Sequence, residues 1–425
     1  MVLLVAFAMP ALIGAVGLAA ETSYWYLHKR AMQNAADAAA IAVASETTSS
    51  YAPDARSATA RAVAAKLGFQ NGSGNVNVNV AQTNTATGCP AGQNCYTVTV
   101  SDVVPSFFSR VIGYTGNTST NGVTAISASA VAASGPAYPY CILALNGNVA
   151  TDFVTHGAPK ADLNGCSIMA NSSSTCTGHN LNAAHGDAHG TNNGCGIVQH
   201  SNMPQVRDPY SGLDSNIPID TCGGNYAIEP QKKNDPPLPA SNQLSGNLSW
   251  SGNVIKCGDV QLTGNTYIDA PANAVLVIEN GQLDTNGYLL QTTAGSGLTV
   301  VFTGSNNSAY QHIPSGGGTL DISAPKTGPW KGVAIYQDPA LTTNVNISSA
   351  GNSPTWDITG LIYLPNSNVT FSGAVNKASN GVYCFGMVIG TMLVNGTASI
   401  FANNTQCGEA GLTQPKGGVR GGLIN

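Results

Sequence analysis

Charge is what this sequence has least of: 16 basic and 21 acidic side chains in 425 residues, 9% of the chain, where soluble domains average roughly a quarter. A net charge of -5 leaves no electrostatic footprint for a nucleic-acid partner. No arginine occurs between Arg207 and Arg420. GxSxG, HExxH and P-loop patterns are all missing, and no two cysteines form a CxxC pair, which argues against zinc ribbons and thioredoxin chemistry. The carboxylates Asp259, Asp269, Asp284, Asp321, Asp338 and Asp357 stand singly, whereas glycoside hydrolysis needs a pair and a lyase needs a base. We therefore expect no enzyme and no cofactor. In place of charge the chain has 49 glycines, abundant Asn, Ser and Thr, and 43% hydrophobic residues. That is enough to bury a large core, and it suits an all-β secreted or surface protein of two or three domains.

Ten cysteines are present: Cys89, Cys95, Cys141, Cys166, Cys176, Cys195, Cys222, Cys257, Cys384 and Cys407. An even number without metal spacing reads as five disulfides in an oxidising compartment. Cys89 and Cys95 enclose a short Pro-Gly loop and are the firmest pair. Cys141/Cys166 and Cys384/Cys407 have similar separations, and Cys176 and Cys195 are natural partners. Sequence does not fix the remaining connectivity.

Residues 1–20, MVLLVAFAMPALIGAVGLAA, contain no charge. As a helix they just cover a bilayer core of about 30 Å. Small residues at Ala11, Ala15 and Ala19 share one helix face, beside Gly14 and Gly17, and permit close helix–helix packing. Three readings follow: a single-span membrane anchor, a packing helix at the centre of a pilus-like filament, or a cleaved secretory signal. Pro10 would kink the helix or free one carbonyl. Tyr24, Trp25 and Tyr26 suit a membrane–water interface. Basic residues appear only after the span, at His28, Lys29 and Arg30, against the usual orientation rule. A longer precursor with a basic leader would resolve that conflict.

Beyond the span, 31–46 extends the helix and 55–67 reads as a second one. Strands follow at 75–80, where NVNVNV alternates strictly, at 96–100 and at 122–131, with a short helix at 105–112. The string from Pro10 through Tyr24-Trp25-Tyr26 to Gln33-Asn34-Ala35-Ala36-Asp37-Ala38-Ala39-Ala40 resembles the TadE/TadG-like family of Flp (Tad) pilus-assembly proteins. The Phe107-Phe108 segment and the strand at 123–131 are similar to the same pattern. The resemblance implies a place in assembling or forming a Flp/Tad-type pilus. Its partners would be pilus subunits or pilus-assembly proteins, or copies of itself in a filament. Val5 stands where type IV pilins carry a glutamate.

From the boundary at 135–139 onward, short β-favouring runs recur between Gly and Asn turns, several of them about 20 residues apart. The expected fold is thus mainly β with an N-terminal α+β part. It comprises a long apolar helix (1–46), a small α+β pilin-like module (47–135), and a disulfide-stapled parallel β-helix or solenoid-like domain (136–410), with a β-sandwich as the alternative. An irregular tail (411–425) would close the chain. Segment 208–239 reads as a loop crossing the β domain. His179, His185 and His189 form the densest set of potential metal donors, but flanking Gly and Asn favour a polar surface loop and no metal. The expected role is structural. The protein would lie in the bacterial cell envelope, anchored in the inner membrane with an external domain, or in an extracellular filament. The alternatives are a glycan-binding adhesin and a polysaccharide-acting enzyme.

Overall fold

A single helix, α1 (Val2–Ala44), opens the chain and runs without interruption through Pro10. In the computed structural model the described residues are 2–45, 53–83, 89, 94–118, 122–134, 138–163, 165–230, 232, 234–347, 356–372, 374–376, 378–379, 382–396, 399–401, 404–417 and 422–424. Of 2–8, 10, 11, 53–55, 160, 374–376, 378–379, 399, 401 and 417 only the backbone is described. Contacts divide the chain into one unit of Met1–Ala137 with Gly418–Asn425 and a second of Tyr138–Gly417.

In the first unit α1 and α2 (Pro53–Lys66) pack on an antiparallel sheet of β1 (Asn77–Gln82), β2 (Cys95–Pro105) and β3 (Val123–Ala133). Alternation dictates the sheet: Val78, Val98, Val100, Ala128 and Ala130 are buried towards the helices. Small residues set the helix side, with Ala35, Ala36, Ala39 and Ala40 of α1 facing Ala60 and Ala64 of α2 in one core. The short helix expected at 105–112 narrows to a 3-10 turn at Ser109–Ile112, because β2 continues to Pro105. Within the tail (411–425) two short stretches are paired. Gly422–Leu423 pairs antiparallel with the end of β3, and in the second unit Lys416–Gly417 pairs with Tyr138 and Pro139. Open sheet edges supply the hydrogen bonds that order these glycine-rich stretches.

The second unit is a large parallel sheet system. One ladder runs through Gly252–Cys257, Ala274–Glu279, Leu298–Thr303, Val333–Gln337, Trp356–Phe371 and Phe385–Val394, each parallel to the next. It continues into Tyr138–Ala144, Ser167–Ala170, His185–Ala188 and Val198–His200. The first strand of the unit therefore lies beside its last long strand, mid-ladder. A second ladder joins Gln243–Ser249, Val260–Asp269, Leu289–Thr292, Thr319–Ser323 and again Trp356–Phe371. Among the described residues antiparallel hairpin pairing in this unit is confined to Ala378–Ser379 with Val382–Tyr383. That is not the hairpin pairing from which a sandwich is built.

Strands such as AVLVIE and LTVVFT are buried on both faces. Alternate residues, among them Leu276, Ile278, Val300 and Phe302, fill the inner core, while Val275, Val277 and Val301 form a second cluster on the other face. Met203 and Val206, together with part-buried Tyr210, Leu213 and Ile217, cover that outer cluster. This explains why 201–217 runs along the side of the strands. Five disulfides close the described set: Cys89–Cys95, Cys141–Cys166, Cys176–Cys195, Cys222–Cys257 and Cys384–Cys407.

Candidate functional site

The first unit builds its site around a carboxylate, Glu21. Glu21 follows the uncharged stretch by one position, yet it is buried. Its oxygens accept hydrogen bonds from the backbone N–H of Phe107 (2.7 Å) and of Ser109 (2.6 Å), and from the Ser109 hydroxyl (3.1 Å). Burial alone would raise this carboxyl, but those donors outweigh it and hold the group below its ordinary value. One turn earlier, Gly17 lies under the Phe108 ring, where a Cβ would come within 2.5 Å of Cδ1. One turn later the Trp25 and Tyr114 rings meet at 6.0 Å. Further along, His28 Nε2 and Asp102 Oδ2 are 3.0 Å apart. The helix thus holds the 107–114 loop at three successive levels.

The packing face expected on α1 divides. Gly14, Ala15 and Ala19 are exposed, with nothing within 4 Å of a Cβ at Gly14. Gly17 is taken by Phe108, and the side chain of Ala11 is outside the described residues. Tyr24 and Tyr26 are exposed while Trp25 is half-buried in the core. Among the described residues no helix is long and apolar enough to cross a membrane. The expected span at 1–20 has its side chains at 1–8, 10 and 11 outside that set.

Residues 1–46 match the family model described as putative Flp pilus-assembly TadE/G-like. The N-terminal segment is thus similar to the TadE/G-like Flp pilus-assembly family. No curated protein and no solved structure matches the chain. The TadE/G-like match covers α1 and ends before α2. Its QNAADAAA string is a packing surface. Four of its alanines are buried, and Gln33 Nε2 donates to Asp37 Oδ1 (2.7 Å) and to the Ser129 carbonyl of β3 (3.0 Å).

Outside the TadE/G-like segment, the second unit places the three candidate histidines apart. His179 Nδ1 accepts from the Leu181 N–H, His189 Nδ1 bonds the Met203 carbonyl, and His185 stacks on Tyr138 at 3.9 Å. On a strand, positions four apart do not converge as they do on a helix. Among the described residues no group of three metal donors forms. Instead Asp187, fully buried, becomes the centre. Its Oδ2 accepts from the hydroxyls of Tyr138 (2.6 Å) and Tyr140 (2.5 Å), and its Oδ1 is 2.8 Å from His200 Nδ1. A carboxylate only accepts, so the proton sits on that nitrogen. Burial, then Asp187, pushes both tyrosines far above their ordinary value.

Two of the carboxylates read as solitary also converge, with a third that the sequence did not single out. Asp259 immediately precedes the strand Val260–Asp269, Asp284 lies on the short strand Leu283–Asp284 that pairs parallel with it, and Glu229 joins them from the connecting segment. Asp259 accepts from the backbone N–H of Glu229 (2.7 Å) and of Gln282 (3.0 Å). Gln261 Nε2 donates to both Glu229 and Asp284, and Gln282 Nε2 donates to Glu229 at 2.8 Å. Burial, then Asp284, raises the Glu229 carboxyl to about 7. Elsewhere a cleft of about 510 Å³ is lined by amide and charged groups, including Asn146, Asn148, Gln205, Arg207, Asp208 and Asn366.

Proposed function

We propose that this chain is a structural component of a Flp/Tad-type pilus or of its envelope assembly machinery. It is held in the inner membrane by residues 1–20, and its large β unit lies on the outer side of that membrane. The TadE/G-like match over 1–46 carries this reading. We read the second unit as a parallel β-helix, a solenoid whose coils stack by the ladder pairings described above and are stapled by disulfides. Such an object offers a long, rigid, low-charge surface to pilus subunits or to assembly proteins. Five disulfides fit an oxidising location outside the cytoplasm.

The reading includes no catalysis. Both oxygens of Asp259 are occupied by backbone N–H groups, so it serves as a turn fastener, and Gln261 clamps Glu229 to Asp284. Cell fractionation tests the role. The chain should stay with inner membranes after alkaline carbonate washing, and its removal should abolish pili. Recovery in sheared filaments would instead favour the filament-core mechanism, in which the exposed face of Gly14, Ala15 and Ala19 packs against other helices.

A second reading is favoured by the amide-lined cleft, whose donors and acceptors suit sugar hydroxyls. As a glycan-binding surface it would lose affinity in Gln205→Ala and Asn366→Ala variants. A glycan array on the intact protein that gave no signal would remove this reading.

A further inference from the structure

We propose that the 107–112 loop is a second membrane contact, with Phe107, Val111 and Ile112 entering the interfacial layer of the bilayer beside the point where α1 leaves it. This inference rests on the anchoring reading above and adds a second contact to the helix. The loop exposes Phe107 by 66%, Phe108 by 46%, Val111 by 85% and Ile112 by 70%. Four large apolar side chains displayed within six residues exceed the scatter of single exposed apolar residues that soluble surfaces tolerate.

The exposure is built in, because the loop is fastened on its inner side. Glu21 takes the Phe107 and Ser109 amides, and the Ser106 hydroxyl pairs with that of Thr124 at 2.8 Å. The amides of Val111, Gly113 and Tyr114 bond to Phe108, Arg110 and Ser109 carbonyls within the loop. Internally satisfied backbone groups are what a lipid environment requires, since hydrocarbon offers them no partner.

Position along the helix selects lipid as the occupant. Phe108 packs at Gly17 and Ser109 at Glu21, the first roughly 5 Å before the end of the uncharged N-terminal stretch at Ala20 and the second just past it. Leu12, Ile13 and Val16 on α1 are exposed below, which makes the loop continuous with the apolar face of the helix. The Trp25–Tyr114 pair lies one turn above, at headgroup height. The loop's one charge is a cation, Arg110, the sign that anionic phospholipids attract.

Tryptophan quenching tests the contact. The full chain carrying Val111→Trp, and separately Ile112→Trp, is reconstituted into vesicles of phosphatidylethanolamine and phosphatidylglycerol, with or without bromine on the acyl chains. The fluorescence added over wild type should be quenched by bromine about twofold or more, while Ala58→Trp on α2 should be unaffected. Alkaline carbonate treatment of the same vesicles separates the two claims. A chain released by carbonate overturns the anchor and the loop contact together. A retained chain with unquenched Val111→Trp and Ile112→Trp fluorescence overturns the loop contact alone. Cross-linking between copies through position 111 in the retained chain, without quenching, would assign the patch to self-association.

Discussion

Replacing Glu21 exposes how the loop is held. In Glu21→Ala the Ser109 N–H and hydroxyl, both buried, lose their acceptor, and the half-buried Phe107 N–H loses its own. An orphaned buried donor costs about 1–3 kcal/mol, and bonds to a charged acceptor lie at the upper end. Water reaching Phe107 recovers part of this, which leaves about 3 kcal/mol for local opening. Each 1.4 kcal/mol is about tenfold, so exchange of the Ser109 amide should quicken by about a hundredfold. Glu21→Gln keeps one acceptor oxygen and should show roughly half that energy. The effect also depends on pH. Because the folded Glu21 carboxyl is held below its unfolded value of about 4.3, its contribution is complete above that pH and disappears as pH falls through the folded value. Hydrogen exchange measured by mass spectrometry on the detergent-solubilised chain reads the segment directly. Unchanged exchange over 106–112 in Glu21→Ala would refute the clamp.

Asp187→Ala should lower stability by about 2–4 kcal/mol, because the buried Tyr140 hydroxyl is left without an acceptor. Thermal unfolding followed by near-ultraviolet circular dichroism checks this, and Asp187→Asn should be milder. Glu229→Gln removes a carboxyl raised to about 7. A raised acid binds its proton more tightly in the fold, so wild-type stability falls as pH rises from about 4.3 towards 7. The variant should therefore gain on wild type at pH ~8 and not at pH ~4 in urea titrations; an equal difference at both would contradict the assignment. Replacing Cys222 and Cys257 by alanine frees a loop with a separation of 35 residues. Loop-closure entropy puts the loss at about 4 kcal/mol, measurable by guanidinium unfolding.

Local patterns were legible from the residues. The last four residues of NVNVNV open a strand, Asn77–Gln82, because their alternation matches a half-buried sheet, and QNAADAAA became a tight helix face because alanine lets α1 approach β3 closely. The pairs Cys141–Cys166 and Cys384–Cys407, read together for their similar separations, form disulfides spanning 25 and 23 positions. What stayed hidden is non-local. Nothing near Glu21 in the sequence announces partners 86 and 88 positions away. Nor does any local signal say that Tyr138–Ala144 lies beside Phe385–Val394, since a parallel ladder is set by the whole stack. Asp259 and Asp284 looked solitary because segments brought together by parallel strand pairing are far apart in sequence. Also hidden was the centre of the histidine segment: Asp187, a residue between His185 and His189, gathers hydrogen bonds from Tyr138, Tyr140 and His200, of which the first two lie far away in sequence.

The proposed anchoring of a pilus-related protein through residues 1–20, within the segment that matches the TadE/G-like model, can be tested on cells. Its most direct test is to shear the cells that make it, separate filaments from inner membranes, and wash the membranes with alkaline carbonate. The chain should remain in the washed membranes, and cells lacking it should carry no pili. A chain found only in the soluble fraction, in cells whose piliation survives its loss, would contradict it.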